Sequence, residues 1–171
     1  MPRLLCVLIV LGGSALAAAL TTPEEPAASG ERALVVIVNL QRPESDIPLR
    51  SIVRIFRGEQ RFWENGDRVY PVLPPDDLAG ARDEFLGSVV KLDARGFGLH
   101  WRNLLFRGDA TDQPISPPDE RHAVQTVFAE RGAIAVVEGS GVKNLGKVAK
   151  VLTINGRDRG AVEYPLKWPA R

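Results

Sequence analysis

Apolar residues along this chain fall into two patterns, continuous runs and periodic stripes. Residues 33–40 (ALVVIVNL) form an unbroken run rich in β-branched side chains, which predicts a strand buried on both faces. Residues 133–137 repeat that pattern, residues 68–73 predict a strand that Pro74-Pro75 ends, and residues 148–154 alternate before an Asn155-Gly156 turn. The stripes predict helices. Leu49, Ile52, Val53 and Phe56 recur at helical spacing, with Gly58 as the stop. Leu78, Phe85, Leu86 and Val89 predict a second helix capped by Asp76 or Asp77. Phe97, Trp101, Leu104 and Leu105 share a face of a third, over residues 93–106, whose start Gly96 and Gly98 weaken. A fourth opens at Ser116-Pro117-Pro118-Asp119, turns Val124, Val127 and Phe128 inward, and stops at Gly132. Residues 162–168 predict an edge strand whose pairing Pro165 and Pro169 limit.

Strands alternating with helices make this an α/β chain with a small sheet, mixed or largely parallel, flanked by about four helices. The stretch from 77 to 131 holds helices with no strand between them. That is unlike a simple doubly wound sheet and predicts a lobe in which consecutive helices pack beside the sheet.

The N-terminal 20 residues follow a different logic. Arg3 supplies one positive charge, residues 4–11 are wholly apolar, and Gly12, Gly13 and Ser14 precede a run of small residues. This order is that of a secretory signal peptide, with cleavage expected after Ala17 or Ala19. A retained anchor needs about 20 strongly apolar residues, and residues 4–20 are shorter and diluted by alanine and glycine. The expected organisation is a signal peptide over 1–19, a flexible Pro- and acid-rich lead-in over 20–32, and a folded domain over 33–171. The mature protein is expected to be periplasmic or secreted, without stable membrane insertion.

Composition narrows the chemistry. Lys and Arg total 22 against 21 Asp and Glu, a formal net charge of +1, which gives no electrostatic reason to propose nucleic acid. The single cysteine, Cys6, lies in the apolar leader, so neither a disulfide framework nor a thiolate metal cage is available. His100 and His122 show no ligand spacing, and no Gly-x-Ser-x-Gly elbow is present. No cofactor, metal or catalytic residue is therefore assigned, and the chain is read as a non-enzyme. Asp76, Asp77, Asp83 and Glu84 read as clustered surface acids, and Gly139-Ser140-Gly141 as a plain loop after a strand. Trp63 and Trp101 are expected to pack, whereas Trp168 is free to be an exposed contact.

Four segments in order resemble the phosphate-type substrate-binding proteins of ABC transporters. They are the strand VVIVN (35–39) with the helix ending IFRGEQRFW (55–63), then LAGARDEF (78–85), RGAIAVVEG (131–139) and EYPLKWP (163–169). The resemblance implies a periplasmic-binding-protein-like lobe that binds a small oxyanion such as phosphate. In that family a Ser-Gly-Thr at a helix N-terminus holds the phosphate; the matching positions here are Ala79, Gly80 and Ala81, so both hydroxyls are missing. The ligand-binding set carried over is Gly80, Ala81 and Arg82, together with Asn39 at the end of the first strand. The resemblance places the family's other lobe before the strand at 35–39, so an open half-site is expected here. Two readings follow. The chain is a solute-binding-protein-like domain with a weak oxyanion site, or an interaction module that keeps the fold and docks an envelope transporter or sensor protein.

Overall fold

A nine-residue strand, β1 (Glu31–Asn39), is the axis on which the rest is built. Residues 34–38 have no exposed surface: Leu34, Val36 and Val38 enter one core, Val35 and Ile37 the other. A strand covered on both faces has no polar side to alternate with, which is why its sequence is a continuous apolar run. The structure, a computed structural model, describes residues 31–78, 80–138, 145 and 147–169. The expected signal peptide, most of the lead-in, Ala79 and the Gly139-Ser140-Gly141 loop lie outside the described residues. β1 begins at Glu31, two residues inside the stretch expected as lead-in.

The sheet has the order β2-β5-β1-β4-β3, with β6 (Lys167–Pro169) pairing the first residues of β1. β1 runs antiparallel to β4 (Ala133–Glu138), with Ile37 opposite Ala135, and to β5 (Ala149–Ile154), with Ile37 opposite Val151. β3 (Tyr70–Val72) is parallel to β4, and the short β2 (Asp46–Ile47) is parallel to β5. The sheet is therefore mixed, as expected, with an antiparallel centre and parallel margins.

One face is covered by α1 (Leu49–Phe56), α2 (Ala81–Phe85), a π-helical turn (Leu86–Val90) and α3 (Ala94–Phe106). The other is covered by α4 (Glu120–Ala129), through Ala123 and Val127. α1 ends as predicted, with Gly58 at φ 73. Asp93 caps α3 by accepting from the Gly96 N–H, and Asp119 caps α4 by accepting from the His122 N–H. Trp63 and Trp101 are packing residues: the Trp101 indole donates to the Phe56 carbonyl at 2.9 Å and the Trp63 indole to the Gly132 carbonyl at 2.9 Å.

Several expectations are corrected. The stripe from 78 to 89 is not one helix, because α2 runs for five residues and widens into the π-helical turn, which Lys91 closes at φ 62. Neither Asp76 nor Asp77 caps α2; Gly80 occupies that position at φ 73 with no side-chain cap. Phe128 points outward at 61% exposure, and Ala123 takes the inward place. α4 has already ended before Gly132. Gly132 is required instead where two backbones cross, since a Cβ there would stand 1.9 Å from the Arg68 carbonyl oxygen. The tail pairs only over three residues, and Trp168 packs half-buried against the core.

Candidate functional site

Because β3 and β4 are parallel, their carboxyl ends open on the same edge of the sheet, where α/β folds commonly place a ligand. Three segments meet there. The first is the connection from β3 to α2, in which Leu73, Pro74 and Pro75 are buried and the chain turns at Asp76 and Asp77. The second is the start of α4, tied to the first by an Asp76 N–H donating to the Pro117 carbonyl at 3.2 Å. The third is Glu138, the last residue of β4.

At the start of α2 the backbone is open. A Cβ built on Gly80 meets nothing within 4 Å, so a ligand can approach the main chain there. Ala81 is buried and contributes backbone alone, its methyl group filling the core. A helix start leaves amide donors without intrahelical partners, and these attract an anion; at α2 the Ala81 N–H is already taken, donating to the Leu78 carbonyl at 3.0 Å. Arg82 does not reach outward. Its Nε and Nη2 donate to the Pro74 carbonyl at 2.9 and 2.7 Å, and Nη1 pairs with Asp76. The guanidinium thus closes the loop from Pro74 to Arg82 and sets where α2 begins.

Carboxylates dominate the electrostatics of this edge. Glu120 ionises above the ordinary glutamate range, first because it is partly buried and then because Glu138 and Asp77 lie near it. One of its oxygens, Oε1, is buried with no hydrogen-bond partner among the described residues. Asp119 is held below the usual aspartate range by the backbone N–H of His122 and then by its ring. With Asp76 and Asp77 exposed beside them, the edge offers backbone donors to an anion and a carboxylate field against it. Among the described residues, no group of three or more His, Cys, Asp or Glu is placed to hold a metal ion.

Asn39 stands at the opposite end of the sheet, since β1 runs antiparallel to β4. It is 5% exposed and donates from Nδ2 to the Val127 and Phe128 carbonyls at 3.0 and 3.1 Å. Its Oδ1 accepts from the Gln41 N–H at 2.9 Å. Asn39 therefore serves the orphan carbonyls at the end of α4, and the structure does not bring it together with Gly80, Ala81 and Arg82. His100 contacts the Arg57 carbonyl and His122 contacts Asp119, so the two histidines are held apart by local partners. Glu120 and Glu138 were not legible as members of this edge. Their link to Asp77 depends on the parallel pairing of β3 with β4, which no local pattern announces.

No family model matches the sequence, and no curated protein matches it. Solved structures do. A protein from Clostridium perfringens assigned as a phosphate ABC transporter substrate-binding protein, solved with phosphate bound, aligns with a TM-score of 0.62 at 18% identity, over 82% of this chain and 54% of that one. An ABC-type phosphate transport receptor from Vibrio cholerae aligns at 0.58 and 15% identity, over 82% of this chain and 55% of that one. PstS from Borrelia burgdorferi aligns at 0.60 and 13% identity, over 82% and 56%. The chain spans about half the length of the solved structures it matches. Among the described residues, no helix is long and apolar enough to cross a membrane. The architecture built above, a mixed sheet with helices on both faces, is a periplasmic-binding-protein-like fold shared with about half the length of these solved structures.

Proposed function

We propose that this chain is an exported, non-catalytic solute-binding lobe that takes a small oxyanion, phosphate among them, weakly at the start of α2. One observation carries the reading: the open backbone at Gly80 begins a helix at the carboxyl end of a parallel strand pair. The fold is shared with a protein solved with phosphate bound, which supports an oxyanion as the ligand class. Weakness follows from the residues present. Ala81 offers no hydroxyl, Arg82 is engaged with Pro74 and Asp76, and Asp77 and Glu120 oppose a negative ligand. Export rests on the leader pattern in residues 1–19. An envelope transporter or sensor is the partner such a lobe would serve.

The test is the unfolding midpoint of the mature chain with and without millimolar phosphate, sulfate and other oxyanions. At ten times the dissociation constant, linkage gives about 1.4 kcal/mol of stabilisation, or a few degrees for a domain of this size. The reading predicts such a rise, enlarged in Asp77→Asn and lost in Arg82→Ala, whose loop no longer positions α2. No rise with any oxyanion overturns it. The engagement of Arg82 within its own loop favours a second reading in that event, a docking module that retains the fold without the ligand.

A further inference from the structure

At the other end of β3, away from the α2 start, lies a cavity of about 340 Å³, toward the small end of the roughly 300–1,000 Å³ typical of small-molecule sites. Its floor is apolar, formed by Tyr70, Pro71, Trp101 and Ile115, and its rim is charged. Two of the rim charges satisfy each other: Arg68 pairs with Asp112 at 2.7 Å, hydrogen-bonds Thr111, and lies 5.4 Å from the centroid of the Tyr70 ring. The other two do not. Arg61 donates from one nitrogen to the Asp109 carbonyl and, among the described residues, has no carboxylate within ion-pair distance. Glu130 lines the same rim, exposed, with no cation within that distance among the described residues.

An apolar floor beneath one uncompensated cation and one uncompensated anion has a specific complement. A ligand bearing only a carboxylate would meet Arg61 but be repelled by Glu130; a ligand bearing only an amine would meet the reverse. A ligand with both charges on one end and an apolar body satisfies all three features, and a single side chain fits within the cavity. We propose that this cavity binds a free α-amino acid with an apolar or aromatic side chain. Its carboxylate is received by the Arg61 guanidinium, its ammonium by Glu130, and its side chain by Tyr70, Trp101 and Ile115. Such a site is independent of the oxyanion edge, because it stands at the opposite end of β3 and shares none of the residues named there.

Isothermal titration of the full mature chain at pH 7 with L-phenylalanine and L-leucine tests this, alongside phenylacetate and phenethylamine, which each lack one of the two charges. Saturable binding of at least one amino acid is expected. Each truncated analogue, and each of Arg61→Ala and Glu130→Gln, should weaken binding by about tenfold or more, the usual effect of losing a hydrogen bond to a charged group. Both substituted side chains are exposed, and circular dichroism confirms that the variants remain folded. The analogue comparison needs no variant at all. The proposal is overturned by an absence of saturable binding up to about 10 mM, weaker than any affinity of consequence on the millimolar-to-nanomolar scale. It is equally overturned if phenylacetate or phenethylamine binds as tightly as phenylalanine, or if either variant binds as tightly as the parent.

Discussion

The guanidinium of Arg42 lies 4.4 Å from the centroid of the Trp63 ring while donating to Glu44 at 2.9 Å and to Asp67 at 2.8 Å. Arg42 is 4% exposed, and its carbonyl accepts from the Lys150 ammonium. One side chain thus pins the turn after β1 to the turn that precedes β3, and the indole beneath it reaches on to Gly132. Removing a buried cation leaves its carboxylate partners uncompensated. Glu44 and Asp67 are partly exposed, so the penalty is moderated. Arg42→Ala should therefore cost about 2–3 kcal/mol in urea unfolding. Arg42→Lys should recover only part of that loss, because an ammonium cannot fork between two carboxylates and stack on a ring at once.

Gly132 gives the sharpest steric prediction. Its carbonyl accepts from the Trp63 indole at 2.9 Å and from the Tyr70 N–H at 3.1 Å, and a methyl group on its Cα would collide with the Arg68 backbone. Backbone cannot rotate away as a side chain can, so Gly132→Ala should lose on the order of 2–3 kcal/mol, measured by urea unfolding. Gly80→Ala is the contrast. Space is free around Gly80 and only its φ of 73 resists a side chain, so about 1 kcal/mol is expected there.

Asn39 is expected to matter for stability and not for ligand binding. Asn39→Ala removes two hydrogen bonds to the end of α4, at a cost of about 1–3 kcal/mol. Asn39→Asp should be worse, since it sets a carboxylate against the carbonyl end of a helix. Oxyanion titrations of both variants should match the parent protein.

Acid and alkaline behaviour follow from groups shifted in opposite senses. Burial works against ionised Glu44, but its hydrogen bonds from Arg42 and the backbone and the charges of Arg42 and Lys150 outweigh it, so Glu44 ionises below its ordinary 4.5. Asp46 ionises below its ordinary 3.8 through hydrogen bonds from the Thr153 hydroxyl and the Gly156 N–H. The stability these two contribute is present above those ordinary values and is lost as pH falls through the depressed ones. Glu120 behaves in reverse. The folded state keeps its proton above 4.5, so stability falls as the pH rises through its raised value. Glu120→Gln should therefore unfold at a higher temperature than the parent at pH 7, and the advantage should vanish well below pH 4.5. Tyr164, raised to about 12 by burial, adds an alkaline loss that begins above its ordinary 10.0. Its hydroxyl is buried without a partner among the described residues, so Tyr164→Phe should remove that alkaline limb without loss at pH 7.

What the sequence disclosed was whatever depends on neighbours along the chain. The run at 34–38 announced a strand covered on both faces, and Leu49, Ile52 and Phe56 announced the face of α1. The sequence placed the starts of α3 and α4 near Asp93 and Asp119, and the structure adds that each side chain accepts from an amide three residues on. Features set by distant segments stayed hidden. Gly132 answers to Arg68, Asn39 to the end of α4, and Glu120 to Asp77 and Glu138. The division of the 78–89 stripe was also invisible, because α-helical and π-helical turns leave similar apolar spacings over so few residues. At the candidate site, Gly80 as an open helix start was legible from the resemblance. That Arg82 folds back onto Pro74 was not, because a proline carbonyl eight residues away leaves no mark on the local pattern.

The central claim is that a small oxyanion is held by the backbone at the start of α2, and amide chemical shifts read that backbone directly. In a ¹⁵N–¹H titration of the protein with phosphate, the amides of Gly80 and Arg82, which flank the Ala81 amide already bonded to the Leu78 carbonyl, should move together and saturate. The shifts should grow as the pH is lowered through the titration of Glu120, and sulfate, whose charge does not change over that range, should reproduce the trend. Amides of Gly80 and Arg82 that stay fixed while the anion is raised well into the millimolar range, or that move no more than those around Asn39 at the far end of the sheet, would contradict it.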